Sequence, residues 1–134
     1  HLSQRKLLAL AAVLAMHTPI VVLDEPTTGQ DARGLARIGA IIQALKAERR
    51  TVITITHDID FAAEHFERVV VMARGQVLAE GPASGVLSRT DVLRAAEVEP
   101  PQLARLAQAL GLPGTPLAPA DLVDMIERAS NETP

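Results

Sequence analysis

The sequence contains no cysteine, tryptophan or tyrosine, and its only aromatic residues of the Phe, Trp and Tyr class are Phe61 and Phe66. The lack of cysteine excludes disulfides and thiolate metal sites, and it fits a cytosolic protein. So few aromatic rings exclude a base-stacking platform for single-stranded nucleic acid. Sixteen acidic and 13 basic residues give a net charge of −3, so no strongly basic surface is expected. We therefore expect no nucleic-acid partner.

The chain also lacks a long apolar segment. Its longest apolar run covers residues 7–16, whereas a membrane-spanning helix needs roughly 20 apolar residues. No signal-peptide pattern opens the sequence. Apolar residues nevertheless make up 48% of the chain, which excludes a disordered polypeptide. The composition therefore predicts a folded domain with a buried core.

The first half of the sequence predicts a strand–helix–strand unit. Residues 5–16 are good helix formers with Ser3 as the expected N-cap, and the β-branched run at residues 20–24 is typical of a strand covered on both faces. Residues 32–50 carry an apolar stripe at helical spacing, and residues 51–56 form a second β-branched run. This order and spacing predicts an α/β fold in which the two strands are parallel.

The second half predicts a hairpin followed by a helical tail. Residues 68–73 and 76–80 flank an Arg-Gly turn, which is typical of a β-hairpin. Beyond Gly81 the chain breaks into short helices separated by proline and glycine. We therefore divide the chain into a body at 1–81 and a tail at 82–134. The last two tail helices carry apolar stripes made of Leu103, Leu106, Leu110, Leu122, Val123 and Ile126.

Polar side chains follow both predicted strands of the first unit. Asp24-Glu25 ends the first strand and His57-Asp58 ends the second. Because parallel strands end at the same edge of a sheet, His57 is expected close to Glu25. The acid that finishes the strand can hold Mg²⁺, the next acid can polarise a water, and a nearby histidine can bind a phosphate oxygen. The alternative is an acid pair that caps a helix or lies on the surface, beside a histidine with an ordinary polar contact.

Several motifs carry a family resemblance. IVVLDEP (residues 20–26) resembles the Walker B strand and catalytic glutamate of ATP-binding cassette (ABC) ATPases, TGQD (28–31) their D-loop, and ITHD (55–58) their switch histidine. LSQRKLLALAAVLA (2–15) resembles their signature segment and its helix. The phrase DEPTTGQD and the tail segment EPPQLARLAQALGL further resemble the ATPases of energy-coupling-factor importers, which serve vitamins and transition metals such as cobalt.

The resemblance implies a fold and a chemistry. It implies the C-terminal part of a P-loop NTPase cassette at residues 1–81, with parallel strands flanked by helices, a β-hairpin and the helical tail. It also implies hydrolysis of ATP to ADP and phosphate with Mg²⁺. In that reaction Asp24 would hold the metal, Glu25 would be the general base and His57 would contact the γ-phosphate.

The resemblance also implies partners. Family members close as homo- or heterodimers of two cassettes over ATP and dock on transmembrane coupling subunits, so the location would be cytoplasmic, on the inner face of the membrane. Ser3 and Gln4 would face the nucleotide of the partner cassette, and Asp31 would contact that cassette. The tail helices would bury their stripes either on the hairpin of the same chain or against the tail of the second subunit.

The sequence departs from the family at two motifs. The signature Leu-Ser-Gly-Gly-Gln lacks its two glycines here, because Leu2-Ser3 runs directly into Gln4. No Walker A sequence, Gly-x-x-x-x-Gly-Lys-Ser/Thr, occurs in the chain. We therefore expect the segment alone to bind ATP weakly and to be inactive. Two alternatives to an importer ATPase are a degenerate cassette that only docks a partner and a cassette protein without a transport role.

Overall fold

The computed structural model describes residues 2–131, with the side chains of residues 5–130. Contacts divide the chain into two units, the first ending at Asp58 and the second beginning at Ile59. The elements are α1 (Leu2–Leu14), β1 (Ile20–Asp24), α2 (Ala32–Ala47), β2 (Thr51–Ile55), α3 (Ile59–His65), β3 (Arg68–Ala73), β4 (Gln76–Pro82), α4 (Ala83–Leu87), α5 (Thr90–Ala95), α6 (Gln102–Ala109) and α7 (Pro119–Asn131).

The first unit is built on the parallel pair β1 and β2, which confirms the predicted strand–helix–strand arrangement. Ile20 lies opposite Thr51, and the register runs without a shift to Asp24 opposite Ile55. Helix α2 begins after Asp31 and buries Ile38, Ile42 and Leu45 of its predicted apolar stripe, while Leu35 and Ile41 are half-buried. The buried apolar residues of this unit are Val21, Leu23, Ile38, Ile42 and Leu45.

Within the first unit the sheet is covered on one face, so the expectation that β1 is covered on both faces is wrong for this unit. Burial alternates along β1, with Val21 and Leu23 buried while Ile20 and Val22 are 55% and 57% exposed. On β2, Ile53 and Ile55 are also exposed. Side chains alternate between the faces of a strand, so these four exposed residues share one apolar face.

The second unit has the predicted hairpin as its centre. β3 and β4 pair antiparallel, and Arg74 and Gly75 connect them with φ angles of 51° and 74°. Positive φ at both central residues is what a tight hairpin turn of this twist requires. Helices α4 and α5 pack on this hairpin around a shared core of Val71, Ala79, Ala83, Val86, Leu87, Val92 and Leu93.

The predicted division at 81 and 82 falls within this core, since its residues come from both sides of Gly81. That division of the sequence stays a prediction. Helices α6 and α7 contact each other. Their stripes are only partly buried, because Leu122 is 7% exposed while Leu106 and Val123 are about half exposed.

Several helix ends differ from the predictions. Helix α1 already includes Ser3, so Ser3 is not its N-cap, and the helix ends at Leu14. The turn that follows bonds the N–H of His17 to the carbonyl of Leu14, with φ of 49° at His17. Helix α2 ends at Ala47 because Arg49 takes a positive φ of 60° that turns the chain into β2. Among the residues described, no helix is long and apolar enough to cross a bilayer.

Candidate functional site

The end of strand β1 turns sharply at Glu25. Its N–H donates to the carbonyl of Ile55 at 2.8 Å, which continues the parallel ladder by one residue. Its φ of 46° lies in the left-handed region, where a residue with a side chain is disfavoured. The chain then folds back, and the N–H of Gln30 donates to the carbonyl of Thr27 at 3.1 Å. The sheet edge therefore presents Glu25 on a tight, constrained turn.

Glu25 and His57 meet at this edge, as the parallel strands predicted. The Nδ1 atom of His57 lies 2.8 Å from Oε2 of Glu25, and the N–H of His57 donates to Oε1 at 3.1 Å. The hydroxyl of Thr28 donates to Oε2 at 3.1 Å. The His57 side chain is 77% exposed and that of Glu25 36% exposed. Glu25 and His57 are thus bonded to each other, and the His57 side chain faces solvent.

These contacts favour the ionised form of Glu25. The hydrogen bond from the His57 side chain lowers the pKa of the Glu25 carboxyl below its ordinary value, and the hydrogen bond from Thr28 adds to this effect. Partial burial opposes it by penalising the charge. Glu25 is therefore a carboxylate at neutral pH and an acceptor for protons.

Asp24 lies beside this pair at the end of β1, opposite Ile55 in the ladder. Its side chain is exposed, and no hydrogen bond or ion pair to another residue of the described chain engages it. No group of three or more possible metal ligands occurs in the described chain. One free carboxylate fits Mg²⁺, which proteins often hold through one or two carboxylates while phosphate and water complete the shell. Asp24 therefore fits the Mg²⁺ that the sequence resemblance implies.

Threonine hydroxyls support the site, and the sequence analysis did not identify them. Buried Thr27 places its hydroxyl 3.5 Å from that of Thr56, which accepts the N–H of Asp58 at 3.0 Å. Thr28 was detectable from its position three residues after Glu25, because a tight turn brings such residues together. Lys6 of α1 was also missed, although its Nζ donates to the carbonyls of Glu25 and Thr28.

The other predicted residues lie on flanking elements. Asp31 is the N-cap of α2, where its Oδ1 accepts the N–H of Gly34 at 2.8 Å. Its side chain is otherwise exposed, so a role in contacting a second cassette stays a prediction. The side chains of Ser3 and Gln4 lie outside the described residues, although their main chain belongs to α1.

A cavity of about 230 Å³ opens beside the turn within the first unit. Leu7, Leu10 and Val13 of α1 line one part of it, and Glu25 and Gln30 another. The side-chain Nε2 and Oε1 atoms of Gln30 are buried and form no hydrogen bond in the described chain. The glutamine of the predicted D-loop is therefore packed as if it were apolar.

Comparison with known sequences identifies relatives of this chain. The energy-coupling factor transporter ATP-binding protein EcfA of Carboxydothermus hydrogenoformans is 43% identical over 116 residues, covering 84% of this chain and 43% of that protein. EcfA of Methanocaldococcus jannaschii is 38% identical over 112 residues, covering 82% of this chain and 40% of that protein. A putative ABC transporter ATP-binding protein of Methanosarcina acetivorans is 46% identical over 104 residues, covering 78% of this chain and 17% of that protein. The chain thus spans less than half the length of these relatives. No family model matches it.

Solved structures agree with the sequence relatives. CbiO1 of Clostridium perfringens, part of the ABC transporter complex CbiONQ, matches with a TM-score of 0.60 and 32% identity over 82% of this chain and 43% of that one. A nucleotide-free ATP-binding cassette from an ABC transporter matches with a TM-score of 0.65 and 27% identity over 72% of this chain and 40% of that one. The chain is therefore a homologue of the ATP-binding proteins of ABC transporters, energy-coupling-factor ATPases among them, and has the fold of part of their P-loop NTPase cassette.

Proposed function

We propose that this chain is the hydrolytic segment of the ATP-binding subunit of an energy-coupling-factor type importer. The observation that carries the proposal is the contact between His57 Nδ1 and Glu25 Oε2, 2.8 Å long, at the shared edge of two parallel strands. Phosphoryl transfer to water is promoted by a residue that activates or positions the attacking water and by groups that bind the phosphate oxygens. The relatives named EcfA and the CbiO1 structure support this class of subunit.

Within this proposal, Glu25 and His57 have different roles in ATP hydrolysis. Glu25 is ionised and accepts a proton from the attacking water as the general base. Its contact with His57 engages Nδ1 of the imidazole, and a ring that also carries a proton on Nε2 can donate from that atom to the γ-phosphate of ATP. The hydroxyl of Thr28 and the main-chain N–H of His57 orient the carboxylate.

The remaining residues bind or contact partners. Asp24 would hold Mg²⁺, and that ion supplies neutralisation of phosphate charge when it is bound. Asp31 contacts a second cassette, in a homo- or heterodimer, through the carboxylate oxygen that the helix cap leaves unused. Ser3 and Gln4 face the nucleotide of that cassette. The segment itself has no Walker A sequence, so we expect it to bind ATP weakly and to hydrolyse it only within a complete cassette.

The proposal extends to the transport system. The partners would be transmembrane coupling subunits, and the location would be the cytoplasmic face of the cell membrane. The cargo class would be a vitamin or a transition metal such as cobalt, as the resemblance to energy-coupling-factor ATPases implies. CbiO1 of Clostridium perfringens is itself part of the transporter complex CbiONQ, and this supports an assembly of the same kind.

Steady-state ATP hydrolysis by a complete cassette containing this segment tests the assignment. Glu25→Gln should lower kcat by about 10²- to 10⁴-fold, because the amide keeps the shape but cannot accept the proton. The matched control is Glu64→Gln, since Glu64 also lies beside a histidine, with 3.9 Å between its Oε2 and Nε2 of His65, but belongs to helix α3 and not to the segments that follow β1 and β2. Glu64→Gln should leave kcat unchanged.

ATP binding by the same variants separates catalysis from folding. Glu25→Gln should bind Mg-ATP as tightly as the wild type, because the base is not a source of nucleotide affinity. Near-normal turnover in Glu25→Gln would show that another residue is the base. An equal loss in Glu64→Gln would show that the effect does not belong to the strand-end pair.

A further inference from the structure

Lys6 connects helix α1 to the turn that carries Glu25. Its Nζ donates to the main-chain carbonyl of Thr28 at 2.7 Å and to that of Glu25 at 3.2 Å. An ammonium is strongly hydrated, and a long side chain loses rotamer freedom when it is held in one place. The two carbonyl contacts offset the lost hydration and the lost rotamer freedom. A lysine that extends into solvent from a helix surface loses neither.

The turn between these carbonyls requires support from outside itself. Glu25 has a positive φ, which persists only where surrounding contacts hold it. The N–H of Thr28 lies 3.4 Å from the carbonyl of Glu25, which is long for a main-chain hydrogen bond. Lys6 supplies a charged donor at both ends of this weakly bonded turn.

The same turn sets the direction of the Glu25 side chain. The carboxylate accepts the hydroxyl of Thr28 and two donors of His57. A displacement of the main chain at Glu25 would move the carboxylate away from both partners together. A shift of about 1 Å at a reacting group is enough to reduce an enzymatic rate substantially.

We propose that Lys6 is a positioning residue for ATP hydrolysis, which holds the Glu25–Thr28 turn so that the carboxylate of Glu25 meets His57. This role rests on the proposed function of Glu25 as the base. Lys6 acts through the two main-chain carbonyls and makes no contact with the substrate.

Hydrogen exchange in the 134-residue chain tests this role without reference to activity. Lys6→Met keeps the unbranched shape and removes the donor. We expect the amides of Thr28, Gln30 and His57 to exchange at least about tenfold faster, while those of helix α2 keep their rates. Lys6→Arg should restore slow exchange because it supplies donors again. The control Arg5→Met, which removes a neighbouring exposed cation from the same helix, should change nothing.

Two exchange results would overturn the proposal. One is unchanged exchange of the turn amides in Lys6→Met. The other is an equal rise along helix α2, because that would be a general loss of stability and not a local loss of support.

Kinetics of a complete cassette provide the second readout. Lys6→Met should lower kcat about tenfold or more with KM for ATP unchanged, and Lys6→Arg should recover most of the loss. A higher KM at normal kcat would contradict a positioning role. A wild-type cassette without ATPase activity would overturn the proposed function and the catalytic purpose of Lys6 with it. Normal exchange in Lys6→Met beside an active wild type would overturn only the role of Lys6.

Discussion

We predict that replacing Gln30, whose side-chain amide is buried, by methionine stabilises the folded chain. Both polar atoms of this side chain are buried, and neither forms a hydrogen bond in the described chain. The surroundings include the apolar residues Leu7, Leu10 and Ile38, which line the same cavity. A Cβ placed on Gly34 would lie only 2.4 Å from Oε1 of Gln30, so the amide is also closely packed.

The expected gain follows from the cost of leaving polar atoms unbonded. A buried donor or acceptor without a partner costs about 1–3 kcal/mol. Methionine has the length of glutamine and no amide, so Gln30→Met removes two such atoms with little change in shape. Taking the lower end of the range for each atom, we expect the free energy of unfolding to rise by about 2 kcal/mol.

Urea unfolding followed by circular dichroism measures this gain. With a typical slope of about 2 kcal/mol per molar urea, the midpoint should rise by about 1 M. The control is Gln43→Met on the exposed side of helix α2, which should change stability by less than about 0.5 kcal/mol. An unchanged or lower midpoint in Gln30→Met would refute the reasoning, since the amide would then be satisfied in solution.

Three further predictions concern the strand-end site and nucleotide binding. The pKa of Glu25 is lower in the folded chain than its ordinary value of 4.5. The ionised form of Glu25 therefore contributes stability above pH 4.5, and this contribution is lost as the pH falls through the folded pKa. In acid unfolding, Glu25→Gln should lose less stability than the wild type over this pH range. His57→Ala should lower kcat of a complete cassette while Glu64→Gln does not, and equal rates in the His57 variant and the wild type would remove His57 from the reaction. Isothermal titration of this chain with Mg-ATP should show binding weaker than micromolar, and tight saturable binding, on the order of −8 kcal/mol or better, would contradict it.

The sequence predicted the strand-end site because its parts obey local rules. The β-branched runs specify strands, and the stripe on α2 specifies the helix that lies between them in sequence. Parallel strands joined by a helix end at the same edge, so topology places Glu25 and His57 near each other, and the direct pairing of β1 with β2 brings them into contact. The hairpin followed from an Arg-Gly pair between two strand-forming runs, and both residues of the turn have a positive φ, which glycine adopts without a steric penalty.

Contacts made at a distance along the sequence could not be predicted in this way. Lys6 and Thr28 are 22 residues apart, and nothing in a helix-forming segment tells which carbonyl its lysine will reach. The sequence around Gln30 likewise does not predict that its amide is buried, because a glutamine in a loop is normally exposed and hydrogen-bonded. Such residues are identified only once the packing of α1 beside the turn is known.

For the helical tail, the sequence predicts which apolar residues share a face but not what they pack against. The spacing of the stripes on α6 and α7 specifies which residues share a face, and this much is independent of the partner. The surface against which the stripes pack depends on tertiary structure. Leu122 is 7% exposed, whereas Leu106, Val123 and Ile126 on the same stripes are 41% to 51% exposed. Contact between α6 and α7 therefore satisfies only part of the pattern. The exposed part is consistent with either alternative for the tail, local packing or contact with a second subunit. Removing residues 98–134 from a complete cassette and measuring its dimerisation without nucleotide decides between them, because only an interface role predicts a weaker dimer.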